Sequence, residues 1–312
     1  PLGEAAALPL CLLHGLLEDW PAAERGCAVA ASGALALVRV VARSFTWGRA
    51  PVPSPTPEQL GVLAVITTGL SLRRGRGARA WVALGVAALL ALELVARRRG
   101  APVGLLRVTF IDVGQGDAAL VDLPDGSAML IDGGGLVGSP IDVGERAVLP
   151  VLAARRRREL ATVVLTHPHP DHHLGLPSVL RRVRARALWD TGQGEAEGMD
   201  GGYAALLADA RARGVEIRRP VDLCGTHRLG GALVDVLAPC PDVSSDRGPN
   251  DNSFVLRVRF GQRAVLFVGD AERAEEEELV LRRAGELRAD VLKVGHHGSR
   301  TSSSATFVAA VG

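Results

Sequence analysis

The sequence predicts an α/β sandwich, with sheets inside and helices outside, preceded by apolar helices suited to a membrane. Three observations carry this expectation. The first hundred residues hold three long apolar runs. From Leu105 the apolar residues fall into short β-type runs broken by glycine and proline turns. Between those runs lie a few longer stretches of helical composition, which in such a chain cover the faces of the sheets. A chain of 312 residues has room for two domains, here 1–100 and 105–312.

The apolar runs are Gly26–Val41, Leu60–Leu72 and Trp81–Ala96, the last interrupted only by Glu93. A spanning helix needs about 20 apolar residues. The first and third runs approach this with their flanks, and the second is short. Three in succession, separated by arginine clusters and the polyproline-like segment Pro51–Pro57, favour membrane helices. Four arginines lie in Arg73–Arg79 and three in Arg97–Arg99. The positive-inside rule then places the following domain on the outer side of the membrane. The start lacks Met and a basic leader, and the end falls directly after the apolar FVAAVG, so the chain reads as a piece of a longer one.

Composition narrows less. A net charge of +2 is no argument for a polyanionic partner. Of 36 basic residues one is a lysine, Lys293, which reads as a compositional habit. Cys11, Cys27, Cys224 and Cys240 show no C-x-x-C spacing, so unpaired thiols are expected, and nothing in the spacing supports a Cys224–Cys240 bridge.

The strand series begins with LLRVTFIDV, then AALVDL and AMLIDGG, split by a PDG turn. TVVLTH, LWDTG, VEIRRP, LVDVLAP, SFVLRVRF and RAVLFVGD continue it. Helices are expected at Leu174–Arg186, Tyr203–Arg213 and Glu272–Arg283, the run 275–278 being a solvated face.

The chemistry concentrates at strand ends. THPHPDHHLG carries His167, His169, Asp171 and His172 between a strand and a helix, where short side chains converge on a divalent metal. His173 is read as a bystander. Asp270 closes LFVGD, where a carboxylate can bridge two cations or simply cap the next helix. In LKVGHHGSRTSSS, His296 and His297 follow another strand, and Ser299 and Thr301 are suited to a phosphate. Asp112, Asp117 and Asp132 also sit at strand ends. Asp132 is placed to orient a liganding imidazole, Gln115 and Asp117 to border a site, and Asp112 to do structural work.

H-x-H-x-D-H, then a strand-end Gly-Asp and a further His, resembles the metallo-β-lactamase superfamily. The order FIDVGQGDA, LIDGG, THPHPDH, NDNS, FVGD, KVGHHGSRTSSS over residues 105–312 is similar to ComEC-type competence proteins, DNA-internalisation channels of bacterial inner membranes. The first hundred residues look like the end of their membrane domain. The resemblance implies an αββα fold and two divalent metal ions, zinc or manganese. His167 and His169 would hold one. Asp171 and His172, with His296 or, in preference, His297, would hold the other, and Asp270 would bridge them. One departure stands out: many members supply another histidine before the bridging Asp, where this chain has GPNDNSFVL with Asn250, Asn252 and Ser253. His227, in GTHRLGG, reads as part of a turn.

The implied activity is a metal-dependent hydrolase, a nuclease that degrades the DNA strand left outside, with Asp171 and Asp270 as catalytic carboxylates. Single-stranded DNA, the membrane and other uptake components are the implied partners. A hydrolase of small esters, phosphodiesters or lactams, and a non-catalytic, metal-stabilised DNA-gating module, are the alternatives.

Overall fold

Alternation of apolar residues sorts the strands into two sheets facing one another. The computed structural model describes residues 10, 13, 14, 17, 19–44, 55–72, 76–196, 198 and 201–312. They divide into two units, Pro1–Val52 and Pro53–Gly312. Cys11, Arg73, Arg74 and the first four residues of the Pro51–Pro57 segment lie outside the described residues.

The first unit holds helix α1 (Pro21–Ser44). The second begins with α2 (Pro57–Leu72) and α3 (Arg76–Gly100). Among the described residues, one segment, Gly77–Gly100, is long and apolar enough to cross a membrane. Helix α2, at 16 residues, is shorter than the apolar thickness requires. The two helices meet through glycines. A side chain at Gly69 would strike the Trp81 ring, and one at Gly85 would strike Ile66. The end of α3 is tied to the first strand beyond it, where Arg107 donates to the carbonyls of Arg99 (3.2 Å) and Gly100 (2.8 Å). Glu93 accepts from Gln59 and Arg156, both at 3.2 Å.

Sheet one runs β1 (Arg107–Phe110), β2 (Ala119–Asp122), β3 (Ala128–Ile131), β4 (Glu159–Leu165), β5 (Arg184–Asp190), β6 (Glu216–Arg218) in spatial order. The first three are antiparallel, and β3 to β6 are parallel. Between these strands lie α4 (Leu149–Ala154), α5 (Pro170–His173), α6 (Leu176–Arg182), α7 (Gln193–Ala196) and α8 (Gly201–Ala212). After α9 (Pro220–Leu223) come β7 (Gly225–Leu229), β8 (Ala232–Ala238), β9 (Val255–Phe260), β10 (Arg263–Phe267), α10 (Arg273–Arg283), β11 (Val291–Lys293) and α11 (Ala305–Val311). Sheet two has the order β11-β10-β9-β8-β7.

Three apolar layers result from the period of two. Val121, Met129, Val164 and Trp189 face Val234, Phe254, Leu256 and Phe267 between the sheets. Leu120, Leu130, Val163 and Leu188 point the other way, onto Leu152, Leu176, Val179 and Leu206. Val255, Leu266 and Val268 meet Leu279, Phe307 and Val311 on the far side. The result is the expected helix–sheet–sheet–helix sandwich.

The structure corrects four sequence expectations. The run 275–278 is not a solvated face: Glu275 and Glu276 are buried, the first paired with Arg247 and the second accepting from the Ser303 and Ser304 N–H groups. Cys224 and Cys240 form a disulfide: β7 and β8 are hydrogen-bonded neighbours, and the chain ends beyond them bring the two Cα atoms to 5.7 Å. GTHRLGG is strand β7 followed by a Gly230–Gly231 turn, not a turn throughout. The helix expected through Arg186 ends at Arg182, because Arg184–Ala187 alternate exposed and buried as the start of β5.

Candidate metal centre

Four strand ends open at one edge between the sheets. Strand β3 delivers Asp132, β4 delivers Thr166 and His167, β10 delivers Asp270, and β11 leads to His297. Pairing fixes their relative heights: Ile131 lies opposite Val164, and Phe267 opposite Lys293.

The H-x-H-x-D-H segment wraps from β4 into the single turn of α5. His169 is the extended residue before that turn, so its ring and that of His167 meet edge to face at 4.7 Å. His172, one turn on, lies with its ring centroid 4.1 Å from that of His167. Gly116 presses against the carbonyl of Asp171, where any side chain would clash. The FIDVGQGDA loop is thereby seated on the motif, and Gln115 donates to Asp171 at 3.2 Å.

Asp270 is the hub. Its Oδ2 lies 3.3 Å from Nε2 of His172, 3.3 Å from Nε2 of His297 and 3.8 Å from Nε2 of His167. Gly269, at φ 53°, makes this possible: a Cβ there would strike Ser253 and Thr166. Asp171 lies 3.2 Å from His297 Nε2. Ligand atoms of Asp117, His172, Asp270 and His297 lie within 4.8 Å of one another.

The surroundings fit a cation. Nε2 of His167 and Oδ1 of Asp270 are buried without a hydrogen-bond partner. Burial by itself would raise the Asp270 carboxyl, but the imidazoles of His172 and His297 hold it well below the ordinary range. Burial would likewise depress His172, yet Asp132 and Asp270 raise it to about 10. Asp117, Asp171 and Asp270 raise His297 to about 11. His167, buried and beside His172, is pushed well down and stays neutral, as a ligand must. In the metal-free chain the surrounding carboxylates therefore favour positive charge at His172 and His297, where a centre of this composition would gather metal charge.

Asp132 lies directly behind His172. Fully buried at φ 58°, it lies 2.9 Å from Nδ1 of His172 and accepts from Thr166 N–H and Oγ1, both at 2.8 Å. Of the paired histidines, the structure brings His297 to Asp270 and turns His296 aside, 2.7 Å from Glu272. His296 and His297 take φ values of 44° and 52°, a left-handed pair braced by Ser302 donating to the Gly295 carbonyl at 2.7 Å. Thr301 donates to Glu272 at 2.9 Å and touches Ser299 at 3.0 Å, so both hydroxyls join the His296 group at the rim.

The NDNS segment divides. Ser253 lies beside the hub and accepts the Asp270 N–H at 3.1 Å. Asn250 reaches Glu272 at 3.3 Å. Asn252 faces away from the centre, its buried amide donating to the carbonyls of Ser244 and Arg247. His227 lies 2.6 Å from the Leu223 carbonyl and beside Trp189, outside the cluster. His173 packs buried near Tyr203, also outside it. Asp112 accepts from Gly114 N–H at 3.1 Å, a local turn. Two residues that sequence reasoning did not place at the site are Glu272 and Lys293. The second had one visible signal: it is the chain's single lysine.

Comparison with known proteins shows the family. The family described as Metallo-beta-lactamase superfamily matches residues 111–312. Competence protein ComA of Neisseria gonorrhoeae is 31% identical over 97% of this chain and 39% of its own length. ComE operon protein 3 of Bacillus subtilis is 32% identical over 64% of this chain and 26% of its own. The chain thus spans well under half the length of these relatives. Among solved structures, the metallo-beta-lactamase fold protein YhfI of Bacillus subtilis is 14% identical, with a TM-score of 0.37 over 60% of this chain and 69% of its own.

Proposed function

The chain belongs to the metallo-beta-lactamase superfamily and is of the ComEC type, and from that premise we propose that residues 105–312 are a metal-dependent nuclease of a DNA-uptake channel, degrading the strand that is not taken up. The superfamily consists in general of metal-dependent hydrolases. One observation carries the reading: His167, His172 and His297 converge on the buried Asp270 at the open edge between the sheets, and Asp171 touches the last of them.

In this reading His167, His169 and Asp270 hold one divalent ion, and Asp171, His172, His297 and Asp270 the other. Bound metal would supply an acidified water and charge stabilisation at a phosphodiester. The chain's own groups do the rest. Asp132 fixes the His172 tautomer and orientation. Asp171, on the rim and held by Gln115, is placed to take a proton from an entering water. Ser299 and Thr301 would offer hydroxyls to a phosphate at the same rim once their contacts with one another and with Glu272 are exchanged for it.

The helix Gly77–Gly100 supports membrane attachment. The Cys224–Cys240 bridge suits an oxidising compartment and, with the arginine distribution, supports a reading in which the domain lies outside. Single-stranded DNA, and other uptake components, are the partners this implies.

A specific observation favours a second reading, a non-catalytic gating module: the segment before the bridging Asp, in which many superfamily members supply a histidine, here brings a serine, Ser253, beside the hub. The test is to incubate the purified chain with Mn²⁺ or Zn²⁺ and labelled single-stranded DNA, a small phosphodiester and a lactam. DNA cleavage is expected. Turnover of the small substrates alone would replace the nuclease with a small-ester or lactam hydrolase, and no turnover would favour the gate.

A further inference from the structure

Lys293 is one lysine among 36 basic residues, and the fold places it at the metal centre. It ends β11, opposite Phe267, with its side chain 14% exposed. Its ammonium contacts Oδ2 of Asp117. The other oxygen of Asp117, Oδ1, lies 3.4 Å from Nδ1 of His297, whose Nε2 faces Asp270. The carboxylate therefore has two neighbours, one for each oxygen.

The choice of lysine follows from geometry. Guanidinium is a planar fork that takes both oxygens of a carboxylate at once, whereas ammonium is a compact point charge that takes one. An arginine here would draw both Asp117 oxygens away from His297. The adjoining cavity, lined by Phe110, Ile131 and Phe267, measures about 20 Å³, room for one water. Without any cation at 293, Asp117 has a free oxygen among the ligand atoms of His172, Asp270 and His297.

We propose that Lys293 is a positioning residue of the metal centre: it holds one oxygen of Asp117, so that the other stays on Nδ1 of His297 and the carboxylate stays out of the coordination sphere. The inference rests on the reading of His172, Asp270 and His297 as ligands. It explains why a chain so depleted in lysine keeps one at this position.

The test compares wild type, Lys293→Arg, Lys293→Met and Lys293→Gln as purified full chains. Zn²⁺ and Mn²⁺ affinities are measured by chelator competition, and Co²⁺-loaded protein by visible absorption. Removing a group that orients a liganding histidine costs about 10–100-fold in affinity. Lys293→Arg, with charge retained, is expected to lose about tenfold, the low end of that range, because it acts only through Asp117. Lys293→Met and Lys293→Gln are expected to move the Zn²⁺/Mn²⁺ ratio about tenfold towards Mn²⁺, the ion that prefers carboxylate, and to change the Co²⁺ spectrum as an oxygen ligand is added. Lys293→Gln keeps the side chain polar if Lys293→Met fails to fold. A Lys293→Arg protein that binds like wild type would reduce the residue to a counter-charge and overturn the proposal, as would an unmoved metal ratio and spectrum in the folded neutral variant. A wild type that binds no metal would sink the metal centre itself, which is a different result.

Discussion

His172 and His297 approach the same carboxylate from opposite sheets, each with Nε2 at 3.3 Å from Oδ2 of Asp270, their rings stacked at 5.3 Å. Each is backed by an aspartate on Nδ1, but the backing differs. Asp132 is buried, and Thr166 holds it through backbone and hydroxyl on the neighbouring parallel strand. Asp117 is 21% exposed and held by Lys293, which comes from the other sheet. One half of the centre is thus built into a single sheet. The other exists only when loops of both sheets meet at the rim. The same chemical device is buried where the core supplies it and open to solvent at the rim.

The largest expected effect comes from removing what both halves share. Asp270→Ala should abolish metal binding at both positions and lower DNA hydrolysis on the order of 10³-fold, beyond the roughly 10–100-fold typical of groups behind a ligand. Retention of both metals by that variant, read by elemental analysis, would break the hub assignment. Next comes the buried half. Asp132→Asn keeps the shape and the left-handed backbone but removes the charge. It should cost about 10–100-fold in metal affinity. It also sets Thr166 N–H and Oγ1 against an amide, and should destabilise the metal-free protein by about 1–3 kcal/mol in denaturant melts.

The buried half was legible in the sequence and the rim half only partly. His167, His169, Asp171, His172, Asp132 and Asp270 all sit where a strand stops, and a strand end is visible in composition. Lys293 and Glu272 reach the site through side chains whose aim depends on the fold, and no spacing announces that. The same limit explains the disulfide: 16 residues separate Cys224 from Cys240, and only the pairing of β7 with β8 makes them neighbours. Strand β7 was hidden by the glycines at both of its ends, which favour a turn reading. The overrun of the helix into β5 was avoidable, since Arg-Ala-Arg-Ala alternates with a strand's period.

Both halves must give up protons to bind metal. In metal-free protein His172 is raised to about 10 and His297 to about 11, both above the unfolded value near 6.5. The stability that this gives is fully present below about pH 6.5 and is lost as pH climbs through the two raised values. Metal must displace those protons, so affinity should rise with pH above 7, by about tenfold per pH unit for each proton expelled. Calorimetric titration in buffers of different protonation enthalpy would count the protons released at pH 7. A count of zero would mean that these histidines are not ligands.

The smallest effect should come from the rim aspartate. Asp117 stands 3.4 Å from His297 Nδ1, against 2.9 Å for Asp132 and His172, and solvent reaches it. Its hold on the ring is therefore weaker and partly replaceable by water. Asp117→Ala should lower metal affinity by about tenfold, the low end for such groups, and change unfolding stability by no more than about 1 kcal/mol. The comparison sharpens if the loss falls on one metal only, the ion shared by Asp171, His172 and His297, with the His167–His169 position unaffected in a stoichiometric titration. If Asp117→Ala instead costs as much as Asp132→Asn in both affinity and stability, the rim is as rigid as the core, and the two halves are one device.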